Sequence, residues 1–456
     1  MRCWRGDWYE WDGRRYATVG DDALAAELTK FLQAQGHSVT GKVVSDVLVN
    51  LRGMAHIKGE QGVLPPFRVD PDTGRVTPAN VFVFSNGMVD LDQLDADRPL
   101  KVAPHDPRIF AVSELPYAFD AQATCPRWRK FLDEVLPKTA DDDRRQRVLQ
   151  EFFGYTLLRD CRYERLLIML GAGRNGKSTI MNIWDAMLGA ANVSNVPLDR
   201  LGSDAHLLEL AGKLANFSRD LNHLSRTDEG RIKQLVSGEP ITVDRKYKTA
   251  VTTVTRAKLI VACNELPDFS DPSLGIWRRM VILPFDVVID ESSVDLHLTA
   301  TLREELPGIL NWALRGLLRL LRRNRFTSCA RCVNAVATHR QNSCSVQAFF
   351  AACCVRSPRH ECLATNLYQL YRVWCQGTGR YAVRDTSFGR RFLPLTGGRH
   401  RGAREGLVRR PWVYRGVRLS CDATPFVSRL SAHPAGTARV ERPIPVPPAA
   451  NAEDAS

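Results

Sequence analysis

The stretch Gly171-Ala172-Gly173-Arg174-Asn175-Gly176-Lys177-Ser178 constrains this chain more than any other. It fits G-x-x-x-x-G-K-S/T without a gap. Arg165 to Leu170 before it is an apolar run of strand character, and Ser178 to Trp184 after it reads as a helix. Glycines at 171, 173 and 176 let the backbone turn sharply and aim successive N–H groups at one anion. The start of the helix adds positive partial charge at the same point. A strand–loop–helix unit of this kind calls for a parallel sheet with crossover helices, and residues 160–290 alternate apolar strands with helices accordingly. The expected cradle comprises Gly171, Gly173, Asn175, Gly176, Lys177, Ser178 and Thr179. Lys177 would reach the outer phosphates of a nucleotide and the Ser178 hydroxyl would ligate magnesium, which makes ATP with Mg2+ the expected cofactor.

A phosphate loop alone does not separate kinases, GTPases and motors; the elements downstream carry that information. Lys213 to Asp220 reads as a short strand ending in an acid. An acid there can hold the magnesium water shell or polarise the attacking water. Leu259-Ile260-Val261-Ala262-Cys263 is a second apolar strand, and Asn264 at its end can orient a lytic water. Arg278 and Arg279 follow Trp277. A guanidinium at that position suits a finger to a neighbouring subunit's nucleotide, and either of the two can serve.

The remaining chain divides by pattern. Residues 1–150 read as a mixed α+β region, 151–325 as the phosphate-loop domain, 340–425 as a compact basic module, and 426–456, rich in Pro and Ala, as a disordered tail. Asp21 to Gln33 reads as a capped amphipathic helix, Val81 to Phe84 as a strand running into a turn at Asn86-Gly87, and Asp141 to Leu158 as a helix. Gly308 to Arg323 carries Ile309, Leu310, Trp312, Leu317, Leu320 and Leu321 largely on one face. With no apolar run of transmembrane length and no signal-like start, a cytoplasmic, membrane-free protein is expected. The 12 cysteines are scattered, and Cys263, Cys353, Cys354 and Cys375 sit in apolar patterns as buried thiols would. Cys329, Cys332, His339 and Cys344 follow the order of a zinc knuckle. The segment between lacks Gly and Pro, however, which favours a helix with incidental thiols over tight metal-binding turns.

Net charge is +13, and most of it is concentrated in one segment. Between Arg356 and Arg418 stand 14 arginines, no lysine and three acids, Glu361, Asp385 and Glu405. A basic module on a near-neutral body suits a polyanion such as nucleic acid. Leu367, Leu370, Tyr371 and Trp374 share one helical face. Asp385 is expected to cap a second helix that turns Phe388 and Phe392 inward and Arg390 and Arg391 outward. Trp412 to Leu419 reads as an edge strand, and helix, helix, basic hairpin is a winged-helix pattern in which Arg390, Arg391, Arg409 and Arg410 contact phosphate.

In order, GAGRNGKST, LANFSRDL, KQLVSGEPITVDRKYK, KLIVACNELP and GIWRRMVILPF resemble superfamily three helicases, and within them the phage, plasmid and poxvirus primase-helicases. NGMVDLDQ, LPYAFDAQATCPRWRKFLDEV and LQEFFGYTLLRD extend the likeness upstream; LYQLYRVWCQGTG and FGRRFL extend it downstream, so that it runs from about residue 5 to 420. The resemblance implies an AAA+-like parallel-sheet core and a hexameric ring that uses ATP to move on single-stranded or forked DNA. It implies Lys177 and Ser178 at phosphate and magnesium, Asp220 as the Walker B acid, Asn264 as sensor, and Arg278 or Arg279 as finger. Ile241 to Val254 resembles the family's DNA-contacting hairpin, with Lys246 and Lys248 at its turn. Two departures stand out. Asp220 is a lone acid where relatives often carry Glu or a pair, and the chain starts almost at the pre-motor region, so any primase is expected as a separate partner. A phage or plasmid replication helicase is the leading expectation; an ATP-binding replication initiator or loader that unwinds nothing is the alternative.

Overall fold

The structure is a computed structural model that describes residues 1–58, 63–95, 98–138, 143–219, 226–245, 248–266, 274–290, 292, 295–343, 345–380, 382–401, 412–431 and 441–443. At 226, 244–245, 248–253, 274, 341–343, 399–401, 429–431 and 441–443 the backbone alone is described. The chain forms two compact units, Met1–Val336 and Ala337–Ser456.

The first unit is mixed α/β around a five-stranded parallel sheet. Its strands are Leu166–Leu170 (β1), Val193–Ser194 (β2), Ala215–Ser218 (β3), Lys258–Cys263 (β4) and Met280–Pro284 (β5). Their order across the sheet is β2-β3-β4-β1-β5, with every adjacent pair parallel. The sequences LLIML, KLIVAC and MVILP show no polar alternation because both faces of the sheet are covered. Successive side chains still part to opposite faces. Leu167, Met169, Ile260 and Ala262 enter one core, and Leu166, Ile168, Leu259 and Val261 the other.

Helix α1, Lys177–Leu188, follows β1 and buries Ile180, Met181, Ile183, Trp184, Met187 and Leu188. Trp184 stacks on Phe153, ring centroids 3.9 Å apart, and donates to Thr156 Oγ1 at 3.1 Å. Phe153 belongs to the helix Arg145–Tyr155, shorter than the helix expected over 141–158: residues 143–144 and 156–158 are not helical, and 141–142 lie outside the described residues. This helix packs closely on Leu306–Arg323, which begins two residues before the expected start. Gly316 permits the approach: a Cβ there would lie 2.4 Å from the Gln150 carbonyl oxygen.

Upstream, the expected first helix spans Asp21–Ala34. It has no side-chain cap; Gly20 occupies the capping position, and Asp21 and Asp22 act instead as charges in the first turn. Val81–Phe84 pairs with Gly87–Asp90 across the expected turn. The helix Ala330–Ser343 replaces a zinc-binding turn. Cys329 and Cys332 are buried at its start, and a hydrogen bond from the Cys332 thiol, aided by backbone N–H groups, holds Cys329 down to about 6. Cys344 lies outside the described residues.

In the second unit, helix Ala364–Gly377 buries Leu367, Leu370, Tyr371 and Trp374 against Phe388 and Phe392 of helix Asp385–Phe392. Arg390 of that helix is exposed and Arg391 half-buried. Two expectations are corrected here. Asp385 does not cap its helix: Arg384 holds the capping position and Asp385 is the first helical residue. Trp412–Leu419 is not an edge strand, because it lies between Arg399–Arg401 and Cys354–Leu363. The latter strand has Pro358 inside it. The proline is tolerated because the register shifts between Arg356 and Glu361, which removes the need for its missing N–H. Arg409 and Arg410 lie outside the described residues.

Candidate functional site

The site is built where β1 and β4 end side by side. Register pairs Cys263 with Leu170, and Gly171 donates its N–H to the Cys263 carbonyl at 3.2 Å. This adjacency arises because β4 is inserted between β1 and β3. It brings Asn264, the residue after β4, to the loop that follows β1.

Three of residues 171–176 take the positive φ that most residues avoid. Gly173 has φ +102° and Gly176 +79°, and Arg174 between them has +46°. Arg174 is held there by its carbonyl, which accepts from Ile289 N–H at 2.7 Å. Gly171 is needed for space: a Cβ would lie 2.2 Å from Asn175 Nδ2 and 2.5 Å from the Phe285 carbonyl oxygen. Gly176 is needed for both reasons, since a Cβ would also lie 2.7 Å from Val135 Cγ1.

Lys177, the first residue of α1, is buried. Its ammonium donates to Gly171 O at 2.6 Å, Asn175 Oδ1 at 2.8 Å and Asn264 Oδ1 at 3.4 Å. Burial pushes this ammonium below the ordinary lysine value, and the Cys263 thiol acts the other way. Asn175 Nδ2 is buried with no hydrogen-bond partner among the described residues. The loop thus carries a cation and N–H groups at a helix start around one point.

That point opens on a cavity of 880 Å³ lined by Gly173 to Thr179, Arg219, Ala262 to Asn264, and a far wall that includes Arg127 and Leu298. Of the residues singled out from sequence, the fold therefore gathers Gly173, Asn175, Gly176, Lys177, Ser178, Thr179 and Asn264 in one cavity, with Gly171 behind Asn175. Asp220 lies outside the described residues. The strand leading to it is fixed by buried Asn216, whose side chain accepts from Val196 N–H at 2.9 Å and donates to Val196 O at 2.8 Å. Among the described residues no cluster of three or more His, Cys, Asp or Glu forms a metal site. The donor set still fits Mg2+, which characteristically takes one or two protein oxygens and completes its shell with phosphate and water. The exposed Ser178 hydroxyl is such an oxygen.

Arg278 and Arg279 are not brought to this cavity. They precede β5, and Leu166 N–H donates to Arg279 O, so the pair lies at the amino-terminal end of β1 and β5. The cradle lies at the other end, about 15 Å away along a five-residue strand. The two arginines differ from each other. Arg279 is half-buried and binds Gly275 O at 2.8 Å, Ser237 Oγ at 2.7 Å and Glu164 at 3.0 Å. Arg278 is 65% exposed, with Glu164 at 4.0 Å. The hairpin is present as strands Pro240–Arg245 and Lys248–Val254; Lys246 lies outside the described residues, and for Lys248 only the backbone is described.

Sequence reasoning missed how the upstream region joins the site. Arg145 is 1% exposed. It ties Pro137 O (2.9 Å) and Asp143 (2.8 Å) to Pro284 O (2.9 Å) and Asp286 (3.0 Å), which clamps that region to the end of β5. The dense arginine content of the chain hid this one among solvated neighbours.

Residues 4–137 match a family described as D5 N terminal like, and residues 169–279 match a family of unknown function, DUF5906. Over 167 residues the chain is 28% identical to "Putative helicase L207/L206" of Acanthamoeba polyphaga mimivirus, which covers 34% of this chain and 16% of that protein. Over 245 residues it is 25% identical to "Putative helicase 184R" of Invertebrate iridescent virus 6, covering 50% of this chain and 24% of that protein. The chain thus spans less than a quarter of the length of these curated relatives. A solved structure, the A form apo structure of the NrS-1 C terminal region, aligns over 88% of this chain and 84% of its own with TM-score 0.47 and 11% identity. The likeness in sequence is to D5-like helicases. No helix among the described residues is long and apolar enough to cross a membrane.

Proposed function

We propose that this chain is an ATP-hydrolysing DNA helicase of the superfamily three type, acting in phage or plasmid replication. The observation that carries the reading is the meeting of Lys177 Nζ and Asn264 Oδ1 at 3.4 Å, from two strands adjacent in the sheet but distant in sequence. A glycine turn arising by chance would have no reason to place an amide from a neighbouring parallel strand beside its lysine. The helicase names of the viral relatives support the same reading.

ATP with magnesium supplies the anhydride whose hydrolysis drives movement. In this reading the loop N–H groups and Lys177 hold the outer phosphate oxygens, and Ser178 and Asp220 hold the metal. Asn264 orients the attacking water, and Lys177 is released from its carbonyl and amide oxygens to serve the phosphates. Arg278, exposed at the far end of the strands from its own chain's cradle, serves as finger to the next copy, which supports a ring. The hairpin carrying Lys246 and Lys248 and the basic second unit, taken as a winged helix with Arg390 and Arg391 on its surface, are the DNA contacts.

The test is ATP hydrolysis by the full chain with and without single-stranded DNA, alongside strand displacement. Lys177→Ala is expected to abolish turnover, and unchanged hydrolysis by that variant removes the assignment. Lys246→Ala with Lys248→Ala is expected to weaken stimulation by DNA while basal turnover survives. Hydrolysis without strand displacement favours the initiator or loader reading instead.

A further inference from the structure

The 880 Å³ cavity extends well past the phosphate cradle. Its far wall consists of Arg127, Phe131 and Glu134 from helix Pro126–Val135, and Ile289, Asp295 and Leu298 from the segment after β5. These residues belong to no phosphate-loop motif. Arg127, Phe131 and Glu134 fall in the upstream family match; Ile289, Asp295 and Leu298 fall outside both matches.

Two contacts fix the helix against the cradle. At its carboxyl end, Val135 and Phe131 pack against Gly176, the positions a Cβ would meet at 2.7 and 3.0 Å. At its amino end, the Glu305 carboxylate accepts the N–H groups of Arg127 at 3.0 Å and Trp128 at 2.9 Å. Between Val135 and Arg127 the axis advances about 12 Å. The helix therefore leads away from the phosphates over the length of a sugar and a base. From the far end of that helix the Arg127 side chain folds back along it, 3.4 Å from Glu134 and 3.9 Å from Asp295, and is 26% exposed. Ile289 and Leu298 add half-buried apolar surface to the same wall. A cavity of this size is that of a whole cofactor site, apolar with a few convergent polar groups.

We propose that this wall is a nucleoside seat, with Arg127 as its specificity-determining residue. The Arg127 guanidinium stacks on the base, Ile289 and Leu298 give the same wall its apolar surface, and Glu134 and Asp295 accept hydrogen bonds from ribose hydroxyls. The upstream region is then part of the nucleotide site and not only a support for it. The proposal rests on the reading above that the loop holds nucleotide phosphates.

The experiment measures magnesium-dependent binding of ATP and of inorganic tripolyphosphate to the full chain by calorimetry. Wild type is expected to bind ATP at least tenfold more tightly than tripolyphosphate. Arg127→Ala is expected to weaken ATP about tenfold while tripolyphosphate stays within twofold; Lys177→Ala weakens both. Glu134→Gln, which keeps the helix and the side-chain shape, is expected to narrow the gap between ATP and 2′,3′-dideoxy-ATP. Equal affinity of wild type for ATP and tripolyphosphate, or equal losses of both ligands in Arg127→Ala, overturns the seat and leaves the phosphate cradle standing. Binding of neither ligand by wild type overturns both.

Discussion

Replacing Gly176 by alanine strains the cradle in a way that can be worked out from the structure. Gly176 has φ 79° and ψ −2°, the left-handed conformation. An L residue there costs about 1–2 kcal/mol. The new Cβ would sit 2.7 Å from Val135 Cγ1 and 3.0 Å from Phe131 Cζ. Those side chains are 0% and 1% exposed, so their packing opposes the shift. Overpacking of this kind adds about 1–3 kcal/mol, so the native loop is opposed by about 2–5 kcal/mol in total. If the loop holds its shape, the chain melts earlier; if it relaxes, the strain is relieved at the expense of nucleotide binding. Since about 1.4 kcal/mol is a tenfold change, the lower bound corresponds to about 30-fold weaker ATP binding. Gly173→Ala is the control, because φ is +102° there but no atom lies within 4 Å of the Cβ. It meets only the conformational cost, about 1–2 kcal/mol. Calorimetric titration with ATP and magnesium, paired with thermal melting, reads both routes. The reasoning is refuted if Gly176→Ala keeps wild-type affinity and melting temperature, or if Gly173→Ala is the more damaging change.

The paired arginines should separate cleanly. Arg279→Ala loses bonds to Gly275, Ser237 and Glu164 and is expected to lower stability by about 1–3 kcal/mol in urea melts. Arg278→Ala is expected to change stability by less than about 0.5 kcal/mol yet to lower ATP turnover at concentrations where copies associate; the opposite pattern would exchange their roles. Lys258, whose ammonium donates to Leu158 O and lies 5.0 Å from the Tyr155 ring centroid, is pushed by burial down to about 8 from 10.5. Below pH 8 both folded and unfolded chains hold its proton. Between 8 and 10.5 the unfolded chain binds more protons, so this group's destabilising contribution is relieved as pH rises. Lys258→Met is therefore expected to gain relative to wild type at pH 7 and to lose that advantage by pH 10, and parallel stability profiles would contradict the assignment. Arg390→Ala with Arg391→Ala is expected to reduce the slope of log affinity for DNA against log salt by about 0.7–0.9 for each phosphate that is no longer neutralised; an unchanged slope would place DNA elsewhere.

Some of this protein could be read from the chain alone. The phosphate loop, the strand before it and the helix after it are local, since glycine spacing and apolar runs carry their own geometry. Helix Leu306–Arg323 and the hairpin at Pro240–Val254 were legible for the same reason. The reading was weaker at boundaries and neighbours. Asp385 looks like a cap in sequence, but whether an acid caps or merely begins a helix depends on one backbone angle. Trp412–Leu419 shows which faces are buried, yet its pattern does not say whether a strand has one partner or two.

Only the tertiary structure decided who meets whom. Asn264 reaches Lys177 because β4 enters the sheet between β1 and β3. Arg278 and Arg279, neighbours in sequence, part company because one side chain finds three partners and the other faces solvent. The far wall of the cavity, from Arg127 to Leu298, has no local signature at all. Its residues are ordinary in sequence and come together only because Arg145, buried between four acceptors, draws the upstream region onto the end of β5. Local turns follow from bonded geometry and hydrophobic period, whereas a site assembled from distant segments follows from packing, which no short window of sequence contains.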